Sequence, residues 1–233
     1  EGSEYHGVHI PADIDVPFAL VRRDGAWSYE LRGDAMARRD KVARRTALKL
    51  TGKEQLVDGR RYFETEGGRW VCETHAARID KVKVLTKWAQ DGEHWIDVSI
   101  ANQTLVAYEG MTPVYATLVS TGEAGLDDPE TTKSTVTGEF RIFAKHLTTT
   151  MSSEVVGEEF QLKDIPYVQY FQEGYALHAA YWHDDFGIPR SHGCINLAPE
   201  DARWLFDWTE PRVPQRWHGA RGEGHGSVVS VHK

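Results

Sequence analysis

Glycine and other turn-forming residues interrupt this chain so often that most segments between them suit a strand and few could hold a helix. Phe18-Ala19-Leu20-Val21 reads as a strand, and Arg23-Asp24-Gly25-Ala26 carries the glycine of a turn. Residues 56–65 read as strand, tight turn at Asp58-Gly59, strand, and Glu66-Gly67-Gly68 makes a further turn before Arg69-Trp70-Val71-Cys72. Further on, Trp95, Asp97, Ser99 and Ala101 alternate with Ile96, Val98, Ile100 and Asn102, the period of a strand. Asn102-Gln103 sits where its hairpin should turn, Glu109-Gly110 closes the second strand, and residues 114–119 give a third. Residues 199–208 are the best helix candidate: Pro199 suits the first turn, Glu200 and Asp201 follow it, and Trp204, Leu205 and Trp208 share a face. The expected class is mainly β with one or two short helices.

Two units are expected. Residues 8–85 read as a small β-barrel-like domain whose core holds Tyr62, Phe63 and Trp70, and residues 93–233 as a larger β unit. The charged stretch 34–45 has no apolar stripe and reads as a loop, as does 120–133 with Gly122, Gly125 and Pro129. Residues 145–158 lack a period and read as a surface excursion that forms part of a flap over a site. A chain of 233 residues has ample core for this. Its net charge of −8 argues against a nucleic-acid binder. No run of 18 apolar residues is present, so no helix of this chain is expected to span a bilayer. Nor is a signal peptide in view. Cys72 and Cys194 lie in different units, give no disulfide framework, and are expected as free thiols.

Chemistry concentrates in Ser191-His192-Gly193-Cys194-Ile195-Asn196, with His178 sixteen residues before the cysteine. A cysteine among small and polar residues, with histidines on its N-terminal side, suits reaction better than packing. Thiolate is the nucleophile, and imidazole is the usual device for generating it near neutral pH. Gly193 lets the backbone approach a reacting group or adopt positive φ. The Gly193 and Cys194 N–H groups are expected to form an oxyanion hole. Ser191 and Asn196 are expected to tie down the loop through hydrogen bonds.

A histidine followed at this spacing by Ser-His-Gly-Cys-x-Asn resembles the signature of the L,D-transpeptidase catalytic domain, the YkuD type. Residues 95–108 are similar to that family's opening hairpin. Leu118-Val119-Ser120-Thr121-Gly122 and Thr137-Gly138-Glu139-Phe140-Arg141-Ile142 resemble its next strands. Ile165-Pro166-Tyr167 and Gly187-Ile188-Pro189-Arg190 fit the segments framing the site. The element Gly67-Gly68-Arg69-Trp70-Val71 loosely resembles bacterial Src-homology-3-like wall-targeting domains. The resemblance implies a β-sandwich or barrel catalytic domain with Cys194 as nucleophile and His178 as base, then acid. The carbonyl of Ala179 would be the third member, where the family more often has glycine. His192 would be an electrostatic neighbour, its two-residue offset from Cys194 making direct pairing awkward. Tyr167, Phe171, Trp182 and Arg190 would border the substrate groove, with Phe171 equally readable as a core aromatic. The implied substrates are peptidoglycan stem peptides. Cys194 would attack the carbonyl of the third residue of a tetrapeptide stem, release D-alanine, and pass the acyl group to a diaminopimelate amine in a 3→3 cross-link. No cofactor is needed, carbapenems would acylate Cys194, and the place of action would be the periplasm or cell envelope.

Other outcomes of the same acyl-enzyme are hydrolysis as an L,D-carboxypeptidase or amidase, attachment of proteins to the wall, and D-amino-acid exchange. A non-catalytic wall-binding module is a further alternative. A metal site built from His178, His183, His192 and Cys194, with His218, His225 and His232 in reserve, lacks the paired short spacings zinc sites use. Cell-wall cysteine peptidases place the cysteine before the histidine, the reverse of the order here.

Overall fold

The structure, a computed structural model, describes residues 6–10, 17–80, 86–153, 160–222 and 224–233. The chain begins with β1 (Val8–His9), then β2 (Phe18–Val21), β3 (Ala26–Arg32), β4 (Ala35–Val42) and β5 (Ala47–Val57). After these come β6 (Arg60–Thr65), β7 (Trp70–Cys72) and β8 (Ala76–Ile79). The turn between β5 and β6 is Asp58-Gly59, both at positive φ, the conformation that matches strand twist in a two-residue hairpin. Strands β2 to β8 form one seven-stranded sheet in the order β4-β3-β7-β6-β5-β2-β8. Among the described residues its pairing is an open ladder, with β4 and β8 at the ends. Tyr62 and Trp70 share one small core cluster with Tyr29 and Cys72, and Phe63 lies in a second with Ala19, Leu50 and Val71.

Two expectations for this region are corrected. Residues 35–42 form strand β4 and not a loop. It is an edge strand, so its Arg38, Arg39, Asp40 and Lys41 can sit on a solvated rim without an apolar stripe. The first unit also does not start at Val8: β1 pairs with β11 (Thr112–Leu118) in the second unit, Val8 opposite Ala116. Residues 81–85, placed in the first unit by sequence, lie outside the described residues.

The second unit opens with a single helical turn, α1 (Lys87–Gln90), then β9 (His94–Ser99) and β10 (Thr104–Glu109) before β11. Next come β12 (Gly138–Arg141), β13 (Ala144–Ser153), β14 (Phe160–Gln172), β15 (Tyr175–Ala179) and β16 (Ile195–Leu197). Helix α2 (Pro199–Trp208), β17 (Gly219–Arg221) and β18 (Val228–His232) complete it. One sheet runs β1-β11-β10-β9-β18-β12 and the other β16-β15-β14-β13-β17. Their facing side chains, with Ala202 and Leu205 of α2, bury a common core around Ile96, Val98, Leu177, Ile195 and Val229. Most of the strands expected from alternation form. Residues 145–153, expected as an excursion, belong to β13, whose polar Thr148-Thr149-Thr150 run is held by pairing with β14. Residues 154–158 lie outside the described residues.

The two units share a further cluster in which Phe18, Leu20, Ala77 and Ile79 meet Trp95, Val106 and Leu118. No helix among the described residues is long and apolar enough to cross a membrane.

Candidate active site

Parallel pairing of β15 with β16 sets His178 opposite Asn196. A parallel pair needs a long crossover, and here the crossover is residues 180–194, which carries the whole motif back to the sheet. Its last turn is strapped to the 120–135 loop by backbone bonds. Ser191 N–H donates to the Thr121 carbonyl at 2.9 Å, Glu123 N–H to the Ser191 carbonyl at 2.8 Å, and Asn196 N–H to the Ser120 carbonyl at 2.9 Å. The Thr135 hydroxyl donates to the Gly193 carbonyl at 2.7 Å. Thr121 is itself fixed by Gln103, whose side chain accepts its N–H at 2.9 Å and donates to its hydroxyl at 2.6 Å. Gly193 has φ +125°, and a Cβ there would stand 2.9 Å from Tyr175 Cε1, so only glycine fits.

The result is a cavity of about 300 Å³. His178, Trp182, Cys194 and Asn196 line it together with Arg190, His192, and Met151 and Leu162 of the β13–β14 hairpin. His178 is buried, and its Nδ1 lies 3.0 Å from the Ala179 carbonyl oxygen. A carbonyl can only accept, so Nδ1 carries the proton and Nε2 keeps its lone pair. Burial pulls the His178 imidazolium down to about 4, and His183 nearby adds to the effect. Burial pushes the Cys194 thiol up to about 11. Between these values both groups rest neutral, and not as a thiolate–imidazolium pair. The Cys194 thiol is directed at the Gly174 carbonyl at 3.7 Å, and His178 lines the same cavity with the Nε2 lone pair unprotonated. Such a neutral pair can pass the thiol proton to nitrogen as sulfur attacks an electrophile.

Each residue singled out in the sequence can now be placed. Ser191 does tie the loop: its hydroxyl donates to the Cys194 carbonyl and accepts the Gly193 N–H at 3.0 Å. That second bond engages the Gly193 amide, one of the two N–H groups expected in an oxyanion hole, inside the loop. His192 is exposed on the rim. Trp182 lines the cavity, with its ring centroid 5.9 Å from that of His178. Arg190 pairs with Asp185 beside it. Tyr167 and Phe171 do not reach the cavity. Strand β14 turns Val168 and Tyr170 toward Cys194, so Tyr167 and Phe171 face the opposite side. Tyr167 packs on Phe206 of α2 with ring centroids 5.7 Å apart, and Phe171 is buried against Phe140.

Sequence reasoning missed Met151 and Leu162, hidden in a polar segment, and Tyr170, which strand alternation could have found. It also missed the Gln103–Thr121 brace and the contacts of His183. Three of the histidines gathered above as potential metal ligands have other partners: His178 meets Ala179, His183 meets Asn196 and Asp185, and His232 meets Asp97.

A family model of the YkuD L,D-transpeptidase catalytic domain matches residues 93–228, more than half of the chain. The chain belongs to this family. The curated relatives that match are L,D-transpeptidase 1 from two strains of Mycobacterium tuberculosis. Each is 27% identical over 147 residues, covering 60% of this chain and 58% of its own length. The chain therefore spans little more than half the length of those relatives. Among solved structures, an L,D-transpeptidase from Mycobacterium smegmatis is 18% identical with a TM-score of 0.48, covering 80% of this chain and 82% of its own. The L,D-transpeptidase LdtMt1 in complex with imipenem is 18% identical with a TM-score of 0.46, covering 78% of each chain.

Proposed function

We propose that this chain is a cysteine acyltransferase of peptidoglycan, with Cys194 as nucleophile and His178 as the base that activates it. The observation that carries the reading is the single cavity holding the Cys194 thiol and the buried His178, whose Nδ1 is committed to Ala179. Family membership supplies the substrate class.

In the forward half-reaction the Cys194 sulfur bonds to the carbonyl carbon of the third residue of a stem tetrapeptide, and its proton passes to His178 Nε2. The tetrahedral adduct collapses as the C–N bond breaks, and His178 returns the proton to the departing D-alanine amine. A thioester remains. In the second half the amine of an acceptor diaminopimelate attacks it, gives its proton to His178, and expels the Cys194 thiolate, which recovers a proton. A 3→3 cross-link is the product. Water as acceptor would give hydrolysis. Met151 and Leu162, which line the cavity with Cys194 and Trp182, favour retention of the acyl group away from water. The reaction belongs in the periplasm or cell envelope, where the substrate is, and residues 93–233 would carry it while the first unit serves as a wall-directed or packing module.

Exposure to a carbapenem followed by intact-mass spectrometry tests the reading. Wild type is expected to gain one adduct and Cys194→Ala none; an adduct on both, or on neither, overturns it. Because both groups rest neutral, the acylation rate should be level with pH between about 4 and about 11 and should fall below about 4, where His178 takes up a proton and can no longer act as base. Incubation with muropeptides then separates cross-linked from hydrolysed product.

A further inference from the structure

The crossover that brings Cys194 home also carries His183, whose two ring nitrogens are both engaged. The Asp185 backbone N–H points at Nδ1 from 3.2 Å, and the side-chain amide of Asn196 lies 3.2 Å from Nε2. A backbone N–H can only donate, so Nδ1 accepts and the neutral ring holds its proton on Nε2. Nε2–H in turn needs an acceptor, so the amide must present its oxygen to His183. The NH2 group then takes the other branch of the amide. That branch is buried with no partner, on a residue only 3% exposed that lines the cavity of Cys194 and His178. A buried amide group without a partner costs free energy, and such exceptions call for an explanation. A ligand acceptor supplies one.

We propose that His183 is a positioning residue that locks the Asn196 amide with its NH2 turned to the cavity, where it donates to a carbonyl oxygen of the bound acyl donor. The role rests on Cys194 being the acylated residue, and it fills the gap left by Gly193, whose own N–H is spent on Ser191. The two histidines therefore hold opposite tautomers for opposite ends. His178 keeps Nε2 bare to take a proton, and His183 keeps Nε2 protonated to orient an amide. Phe186 packs beside the His183 ring, with centroids 5.0 Å apart, and holds it in this pose.

Long-range nitrogen–proton NMR of wild-type protein reads the tautomers without any reaction. The expected result is Nε2–H at His183 and Nδ1–H at His178. Nδ1–H at His183 overturns the proposal. Carbapenem acylation of Cys194 then reads the consequence. His183→Phe, which has no donor for the amide oxygen, should slow acylation about tenfold or more, the scale of losing a fixed donor to a developing oxyanion. His183→Gln, whose amide can donate in place of Nε2–H, should recover most of that loss. Reaction of the thiol with dithiodipyridine, which has no carbonyl to hold, should be unchanged in all three proteins. Wild-type acylation rates in His183→Phe, or equal losses in both variants, overturn the proposal. If wild-type Cys194 takes no adduct at all, the acyltransferase reading fails, while the NMR result still decides the positioning of Asn196.

Discussion

In the seven-stranded sheet, charged side chains lie outside and pair across the surface: Arg32 and Arg39 with Glu30, Lys53 with Glu64, Arg78 with Glu54 and Asp80. In the two-sheet unit the decisive polar groups are inside. Asp201 of α2, fully buried, accepts from the Gly7 N–H at 2.7 Å, the Tyr115 hydroxyl at 2.6 Å and the Thr117 hydroxyl. Lys145, also fully buried, donates to the carbonyls of Phe206 and Thr209 at the end of the same helix and to the Thr209 hydroxyl. Surface pairs are screened and lose little when broken, whereas a buried charge stripped of partners, or partners stripped of their charge, loses much. The unit with the chemistry is thus the one whose architecture depends on buried polar bonds. Its motif loop is fastened in the same way, through Gln103, Thr121 and Thr135.

Mutations can break or sharpen this contrast. Asp201→Ala should have the largest effect, about 3–5 kcal/mol in urea unfolding, because it removes the buried acceptor shared by three donors. Lys145→Met should cost about 1–3 kcal/mol by leaving the α2 carbonyls unsatisfied. It also carries a pH signature. Burial pulls the Lys145 ammonium down to about 7 from its ordinary 10.5, so between those values the unfolded chain holds a proton that the folded chain has released. Stability should rise with pH across that window in wild type and more weakly in Lys145→Met, as measured by unfolding at a series of pH values. Arg44→Ala should cost under about 1 kcal/mol. Yet Arg44 of the first unit donates at 2.7 Å to Asp184, next to His183 in the crossover, so carbapenem acylation should slow several-fold. Lys53→Ala, an exposed pair far from any crossover, should change stability by less than about 0.5 kcal/mol and acylation not at all.

Local signals were legible in the sequence where local chemistry decides the structure. Asp58-Gly59 can hardly be anything but a tight turn, and residues 199–208 combine Pro199 and early acidic residues with an apolar face, so α2 forms as expected. Strands β4 and β13 were not legible, because their residues are charged or threonine-rich and their backbone is held by partners distant in sequence. Long-range pairing also hid the joining of β1 to β11, which no property of Val8 and His9 announces. In the site, the motif and its spacing marked Cys194 and His178, since reactive residue types are rare and conspicuous. Which aromatics lie on the Cys194 side of β14 depends on the phase of a strand; Tyr170 and Tyr167 differ only in that phase. The orientation of Asn196 depends on a backbone N–H at Asp185, which residue identity does not encode.

The position of β18 has a consequence for how this protein comes into being. It lies between β9 and β12, in the interior of its sheet, yet it follows all the other described strands in sequence. The seven strands of the first unit are contiguous, from Phe18 to Ile79, and can pair as soon as they leave the ribosome. The six-stranded sheet has to keep a gap open between β9 and β12 until β18 is made, with β9 waiting for a neighbour more than a hundred residues downstream. Such distant pairing is slow and leaves strand edges uncovered in the meantime. The thiol at Cys194, in the loop leading into β16 of the five-stranded sheet, is therefore synthesised before the six-stranded sheet packed against it is whole. Their shared core closes only as β18 takes its place between β9 and β12.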